Sequence, residues 1–243
     1  MTTAARSQRS VLSALTRAPA RTPAEIVTAT ERMNRVYRRQ RHIYDATRKF
    51  YLLGRDRVIA ELAPGTGATV LEIGCGTGRN LLTAAQMYPL ARFFGIDIST
   101  EMLTSAIDTI GRAGLTSRVR VAHGDARGFD PVPLFGTARF DRIMLSYSLS
   151  MMPDRPAILD FAVSLLAPGG RLHVVDFGGQ ERLPAWFRKA LRSWLRRFHV
   201  TPPDDLGRML ASLCERTGAV LSFERPYRGY AQHATVTLTR QPA

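Results

Sequence analysis

Two rhythms divide this 243-residue chain. Across residues 24–62, apolar positions such as Ile43, Phe50, Leu53, Ile59 and Leu62 recur at the spacing of one helix face, among many arginines. From Thr69 onward the apolar positions gather into short runs separated by amphipathic stretches. Residues 68–74, 92–99, 118–125, 140–148 and 171–178 read as five buried strands. Between them, 79–88, 100–113 and 155–166 read as helices. The second is capped by Ser99 or Thr100, and the third is stopped by Pro168-Gly169-Gly170. Helices at 187–200 and 204–218 follow, then strand-like runs at 219–224 and 230–239.

Strands alternating with helices predict a parallel sheet covered on both faces. The last two runs break the rule. Only a few residues around Pro226 and Gly229 separate them, which is hairpin spacing, so the final strand should enter the sheet antiparallel.

Composition adds less than charge does. Hydrophobic residues make up 45% and charged residues 22% of the chain, as expected of a globular protein. No run approaches the roughly 20 apolar residues of a membrane span. Cys75 and Cys214 are too few for a disulfide framework, which suits a reducing cytoplasm. The net charge of +14 is localised. Residues 1–30 hold four arginines and one glutamate, 31–57 nine basic and three acidic residues, and 181–199 six basic and one acidic; the rest is balanced. Two basic foci and a basic tail imply a polyanionic partner, either nucleic acid or an anionic bilayer. Residues 1–24 lack acids and an apolar signal core, and read as a flexible basic tail.

The chemistry centres on VLEIGCGTGRN. Gly74, Gly76 and Gly78 lie between the first strand and a helix, where glycine allows a tight turn and close backbone approach of a ligand. Acids mark the ends of three successive strands: Glu72, Asp97 and Asp125. Asp97 stands about 20 residues beyond the loop, where a ribose diol would be held.

This pattern resembles the class I S-adenosylmethionine-dependent methyltransferases over about residues 60–240. The resemblance implies an α/β, Rossmann-like, seven-stranded, mostly parallel sheet with a reversed last strand, plus N-terminal helices. It divides the chain into a tail (1–24), a helical cap (25–62) and a methyltransferase domain (63–243). It also implies S-adenosylmethionine as cofactor, S-adenosylhomocysteine as product, and a cofactor site at Glu72, Gly74, Cys75, Gly76, Gly78, Asp97, Ile98, Asp125, Ala126 and Ser146. After the fourth strand, adenine-methylating relatives carry Asn/Asp-Pro-Pro-aromatic; Ser146, Tyr147, Ser148 and Leu149 stand here, which counts against a nucleic-acid substrate.

RHIYDATRKFYLLGRDRVIAEL (41–62) and LPAWFRKALRSWLRRFHVTP (183–202) are similar to segments of the bacterial betaine-lipid N-methyltransferases. That likeness implies successive methylation of the amine of diacylglycerylhomoserine to the trimethylated betaine lipid. It implies a lipid substrate in an anionic membrane surface, a functional partner that forms diacylglycerylhomoserine, and a cytoplasmic enzyme held peripherally on the inner face of the membrane. Such an acceptor amine must lose a proton, to a Tyr, His, carboxylate or water. Tyr147, Tyr44 and Tyr230 are the leading catalytic candidates, with His173 and Asp176 behind them. Arg48, assigned to the cofactor carboxylate, and Arg55 are the cations suited to grip a carboxylate. The five histidines are scattered, so no metal is expected. A phospholipid or small-molecule acceptor, or a nucleic-acid-binding protein retaining the fold, are the alternatives.

The helix at 185–199 gathers Phe187, Ala190, Leu191, Trp194, Leu195 and Phe198 in one arc, with Arg188, Lys189, Arg192 and Arg196 opposite. That arc can pack on the domain or enter lipid.

Overall fold

The computed structural model describes residues 52–198 and 200–239. Tyr44, Arg48 and the expected tail and helix up to residue 51 lie outside the described residues. The first described helix is α1 (Arg55–Leu62). Then come β1 (Thr69–Ile73), α2 (Arg79–Met87), β2 (Arg92–Asp97), α3 (Thr100–Arg112) and β3 (Val119–His123). A short helix α4 (Pro131–Phe135), β4 (Phe140–Ser146), a 3-10 turn at Leu149–Met151 and α5 (Arg155–Ser164) follow. The chain continues with β5 (Leu166–Phe177), α6 (Ala185–Arg197), α7 (Leu206–Thr217), β6 (Val220–Glu224) and β7 (Ala231–Thr237).

The seven strands form one sheet in the order β3-β2-β1-β4-β5-β7-β6. Pairs from β3 through β5 are parallel; β7 inserts antiparallel between β5 and β6. The expected reversed last strand is therefore observed. Strand order turns back between β1 and β4, and at such a switch the loops leaving the carboxyl ends diverge and open a crevice.

Side-chain alternation builds a core on each side of the sheet. Leu71, Ile73, Ile143, Leu145, Leu172 and Val174 face α5 and α7. Val70, Met144, Val175 and Phe177 face α1, α2, α3 and α6. This two-sided burial explains why β1 reads as a continuous apolar run.

Local chemistry settled two element ends. Ser99, not Thr100, caps α3; its hydroxyl accepts from Met102 N at 3.3 Å. α5 stops at Ser164, and β5 begins at Leu166. The Pro-Gly-Gly stretch thus lies inside β5, where pairing with β4 shifts register between Phe140 and Arg142, rather than terminating the helix. α4 was not expected. Pro131 starts it, and Asp130 Oδ1 accepts from Val132 N at 3.0 Å.

Candidate active site

The glycine loop leaves β1 and turns over the end of β2. Gly74 N and Cys75 N donate to the Ile96 carbonyl at 2.9 and 3.0 Å. Gly76 N then donates to Asp97 Oδ2 at 2.8 Å, while Ser99 N donates to Asp97 Oδ1 at 2.8 Å. One carboxylate therefore joins the loop to the cap of α3. Gly74 has φ 76°, and a Cβ there would lie 2.7 Å from Ser148 Cβ and 2.8 Å from Met152 Cε. Both the backbone angle and the space demand glycine.

Beneath the loop, Glu72 is buried and accepts from Asn80 Nδ2 at 2.6 Å. Ser148 Oγ donates to the Ile73 carbonyl at 3.0 Å, joining the β4 exit to the same turn. Burial, then the nearby Asp97 and Glu72 carboxylates, push the Cys75 thiol well above its usual range. Cys75 is thus an uncharged packing group, not a nucleophile.

Asp125 stands one strand further out. Its Oδ1 accepts from Arg127 N at 2.9 Å, and Arg127 Nη2 lies 3.4 Å from its Oδ2. Ala126 is buried and Ile98 half-buried between Asp97 and Asp125. Ser146 Oγ is buried with no hydrogen-bond partner among the described residues.

This arrangement fits S-adenosylmethionine. A cradle that a Cβ would fill, a carboxylate fixed beneath it and a second carboxylate outward match a methionine tail, a ribose diol and an adenine in sequence. An ionised carboxylate has about four acceptor positions, so Asp97 can hold the loop and also accept from hydroxyls.

Sequence reasoning missed Asn80, Gly95 and Ser148. Gly95 sits mid-strand under the loop, where a Cβ would lie 2.7 Å from Leu81 Cδ1 and 2.8 Å from Cys75 Sγ. A glycine inside an apolar strand was the available signal. Asn80 carried none, and Ser148 stood in the segment after the fourth strand without an assigned role.

Aromatic rings gather beyond the exit of β4. The Tyr147 ring meets Phe177 edge-on at 4.8 Å between centroids, and Phe177 meets Tyr230 at 5.9 Å. Tyr147 adopts φ 53°, as do Tyr227 (53°), Arg228 (57°) and Gln180 (57°) in or beside the same wall. Left-handed backbone at non-glycine residues is costly, and among the described residues only Ala63 and Asp154 adopt it elsewhere. The Tyr147 hydroxyl donates to the Leu53 carbonyl at 2.6 Å. Burial, then Asp176, Tyr230 and Tyr227, raise its pKa well above the usual phenol range. Asp176 is fully buried; its Oδ2 accepts from Ser150 N at 2.9 Å and its Oδ1 from Phe177 N at 2.7 Å. Burial raises its pKa to about 6, against the pull of those two amides. Arg55 is buried on α1, and its Nε has no partner among the described residues. It follows Gly54, whose Cβ position would be 3.4 Å from Tyr227 and 3.7 Å from Val175.

α6 resolves part of its own ambiguity. Leu195 is buried, and Phe187, Leu191, Trp194 and Phe198 pack partly on the core. Ala190 does not join them, and Trp186 is 73% exposed. Arg188, Lys189, Arg196 and Arg197 are exposed. Arg192 departs from the expected solvent-facing set: its Nη2 donates to both Asp204 oxygens at 2.8 and 3.0 Å, and its Nε to Gln180 Oε1 at 3.1 Å.

Fold and site together define an α/β domain whose glycine loop and carboxylates, at the switch point of its sheet, fit an adenosine-bearing cofactor. Residues 70–170 match a family described as a methyltransferase domain. The nocamycin O-methyltransferase of Saccharothrix syringae is 34% identical over 159 residues, 65% of this chain and 55% of that protein. Among solved structures, an O-methyltransferase family protein from Burkholderia thailandensis superposes with TM-score 0.65 at 17% identity, covering 91% of this chain and 68% of that one. Phosphoethanolamine N-methyltransferase 2 of Haemonchus contortus, in complex with S-adenosyl-L-methionine, superposes with TM-score 0.60 at 16% identity, covering 77% and 52%. The chain spans about half the length of the curated relatives it matches. Over residues 70–170 it carries a methyltransferase domain, on a seven-stranded sheet of the kind its solved neighbours share.

Proposed function

We propose that the protein methylates the amine of a lipid headgroup at an anionic membrane surface, with diacylglycerylhomoserine as the acceptor and the trimethylated betaine lipid as the product. Bound at the glycine loop, S-adenosylmethionine supplies an electrophilic methyl group. The chain's own residues position the acceptor and keep water away.

The observation that carries this reading is that Leu53 and Gly54, just ahead of the buried Arg55, lie against Tyr147 and Tyr227 at the aromatic wall. A headgroup bearing both an amine and a carboxylate needs two unlike partners. The faces of Tyr147, Phe177 and Tyr230 suit an amine whose positive charge becomes permanent with the last methylation. The Arg55 guanidinium suits the carboxylate. Tyr147, whose hydroxyl is already donated to Leu53, positions the wall, and Tyr230 is the candidate to assist proton loss. α6 begins a few residues beyond Phe177, and its exposed Trp186 and four exposed cations suit an interface of headgroups. Among the described residues no helix is long and apolar enough to cross a membrane, so contact through this part would be peripheral.

A second reading is O-methylation of a small hydroxylated molecule. It is favoured by relatives named as O-methyltransferases. Incubating the purified protein with S-adenosylmethionine and each of diacylglycerylhomoserine, phosphatidylethanolamine and a panel of phenols separates the two. Mono-, di- and trimethylated homoserine lipid by mass spectrometry is the expected product. Methylation of phenols alone would replace the lipid reading, and no transfer to any acceptor would overturn both.

A further inference from the structure

Five histidines are spread along the sequence, yet the sheet brings two of them to one point beneath α1. His173 on β5 stands opposite Thr235, and His233 on β7 stands opposite Val175 and Glu224. Residues two apart on a strand share a face, so His173 and His233 are diagonal neighbours on the side that α1 covers. Glu61, on the last turn of α1, meets them there. One ligand atom from each of Glu61, His173 and His233 lies within 4.8 Å of the other two.

The two imidazoles are oriented alike. His233 Nδ1 lies 3.1 Å from Glu224 Oε1, and His173 Nδ1 lies 3.4 Å from Thr235 Oγ1. Both Nε2 atoms are buried without a hydrogen-bond partner among the described residues. His233 Nε2 stands 3.3 Å from Glu61 Oε2 without the geometry of a hydrogen bond. A buried polar atom left unsatisfied is destabilising, and two at one point ask for a shared partner.

We propose that Glu61, His173 and His233 bind a divalent transition metal of the zinc class, which fastens α1 to the antiparallel end of the sheet. Two nitrogens and one carboxylate suit such an ion better than calcium or magnesium, which prefer oxygen throughout. Ligand bonds of about 2.0–2.1 Å put tetrahedral ligands about 3.3 Å apart. The His233–Glu61 pair is already at 3.3 Å. A pair at the 4.8 Å limit needs to close by about 1.5 Å. The Glu61 carboxylate is partly exposed, which leaves room for that adjustment. Three protein ligands leave the fourth position to water.

The surroundings are those of a metal site. Glu224 behind His233 fixes the tautomer that turns Nε2 to the metal, as carboxylates commonly do behind metal-bound histidines. Arg57 ion-pairs with Glu224 and bonds Glu61 Oε1 at 2.7 Å, which leaves Oε2 turned toward His233. The site stands apart from the glycine loop and does not depend on the proposed acceptor.

The test is metal binding by the full chain, stripped with chelator and free of any histidine tag. Zinc chloride is titrated by calorimetry and cobalt chloride by visible absorption, on the wild type and on Glu61→Gln, His233→Gln and Glu224→Gln. The expected result is one zinc per chain, intense cobalt bands of a four-coordinate site, and a zinc-dependent rise in Tm. Glu224→Gln should weaken binding about 10–100-fold, and each ligand variant should weaken it further. S-adenosylmethionine binding by each variant verifies that it is folded. Substoichiometric zinc in the wild type, or unchanged affinity in folded Glu61→Gln and His233→Gln, overturns the proposal. So does a wild type that takes no metal and loses stability in Glu61→Gln, since an ion pair would then account for the cluster.

Discussion

The Tyr147 hydroxyl donates to the Leu53 carbonyl at 2.6 Å, tying the exit of β4 to the chain just ahead of α1. A residue of the aromatic wall thus also holds the turn that leads into α1. Tyr147→Phe keeps the ring and loses the bond. Stability should fall by about 1 kcal/mol in denaturant unfolding. The acceptor KM should rise while S-adenosylmethionine affinity stays within a few-fold. An equal loss of cofactor affinity would show that the two subsites are not separate.

Asp97 holds the loop through Gly76 N and the α3 cap through Ser99 N. Asp97→Asn places an NH2 where one of those amides donates, and weakens the bond to any ribose hydroxyl. Charged-acceptor hydrogen bonds contribute about 1.5–3 kcal/mol, so cofactor affinity should fall roughly 10–150-fold. Calorimetric titration with S-adenosylhomocysteine measures it. Liposome binding should not change.

Asp176 has a pKa raised from 3.8 to about 6 by burial. Between those values the folded chain holds a proton that the unfolded chain releases. Stability from this group therefore falls as pH rises through that window, by about 3 kcal/mol in all, and is flat above it. Buried His173 titrates in an overlapping range with the opposite sign, so the wild-type curve alone does not isolate either group. The difference between wild type and Asp176→Asn should shrink toward low pH. A difference constant across the window would refute the raised pKa.

The exposed cations of α6 are Arg188, Lys189, Arg196 and Arg197. Each basic residue near an anionic leaflet contributes on the order of 1 kcal/mol. Replacing all four with Gln should weaken binding to anionic vesicles at least 100-fold in sedimentation assays, and leave Tm nearly unchanged. Arg192→Gln should do the reverse, because Arg192 is committed to Asp204 and Gln180.

Much of this was legible in the sequence. Period and punctuation predicted the alternation of strands and helices, and the short Pro226–Gly229 connection predicted the reversed strand. The glycine turn and the acids of β1, of β2 and just after β3 were visible in the sequence, because chain-local turns and strand ends bring them to one edge of the sheet. Helix and strand ends were less secure: the Pro-Gly-Gly stretch reads as a helix stop, yet pairing with β4 draws it into β5.

Contacts between distant residues were a matter for the tertiary structure. Nothing in the chain around Tyr147 says that its hydroxyl reaches Leu53, since that bond needs the turn ahead of α1 brought beside the exit of β4. Arg192 matches its neighbours in charge and phase, and only Asp204 brought alongside it sets it apart. His173 and His233 are 60 positions apart in sequence. They become neighbours because β7 runs back beside β5, and the antiparallel register, not the spacing of histidines, decides which side chains share a face with Glu61.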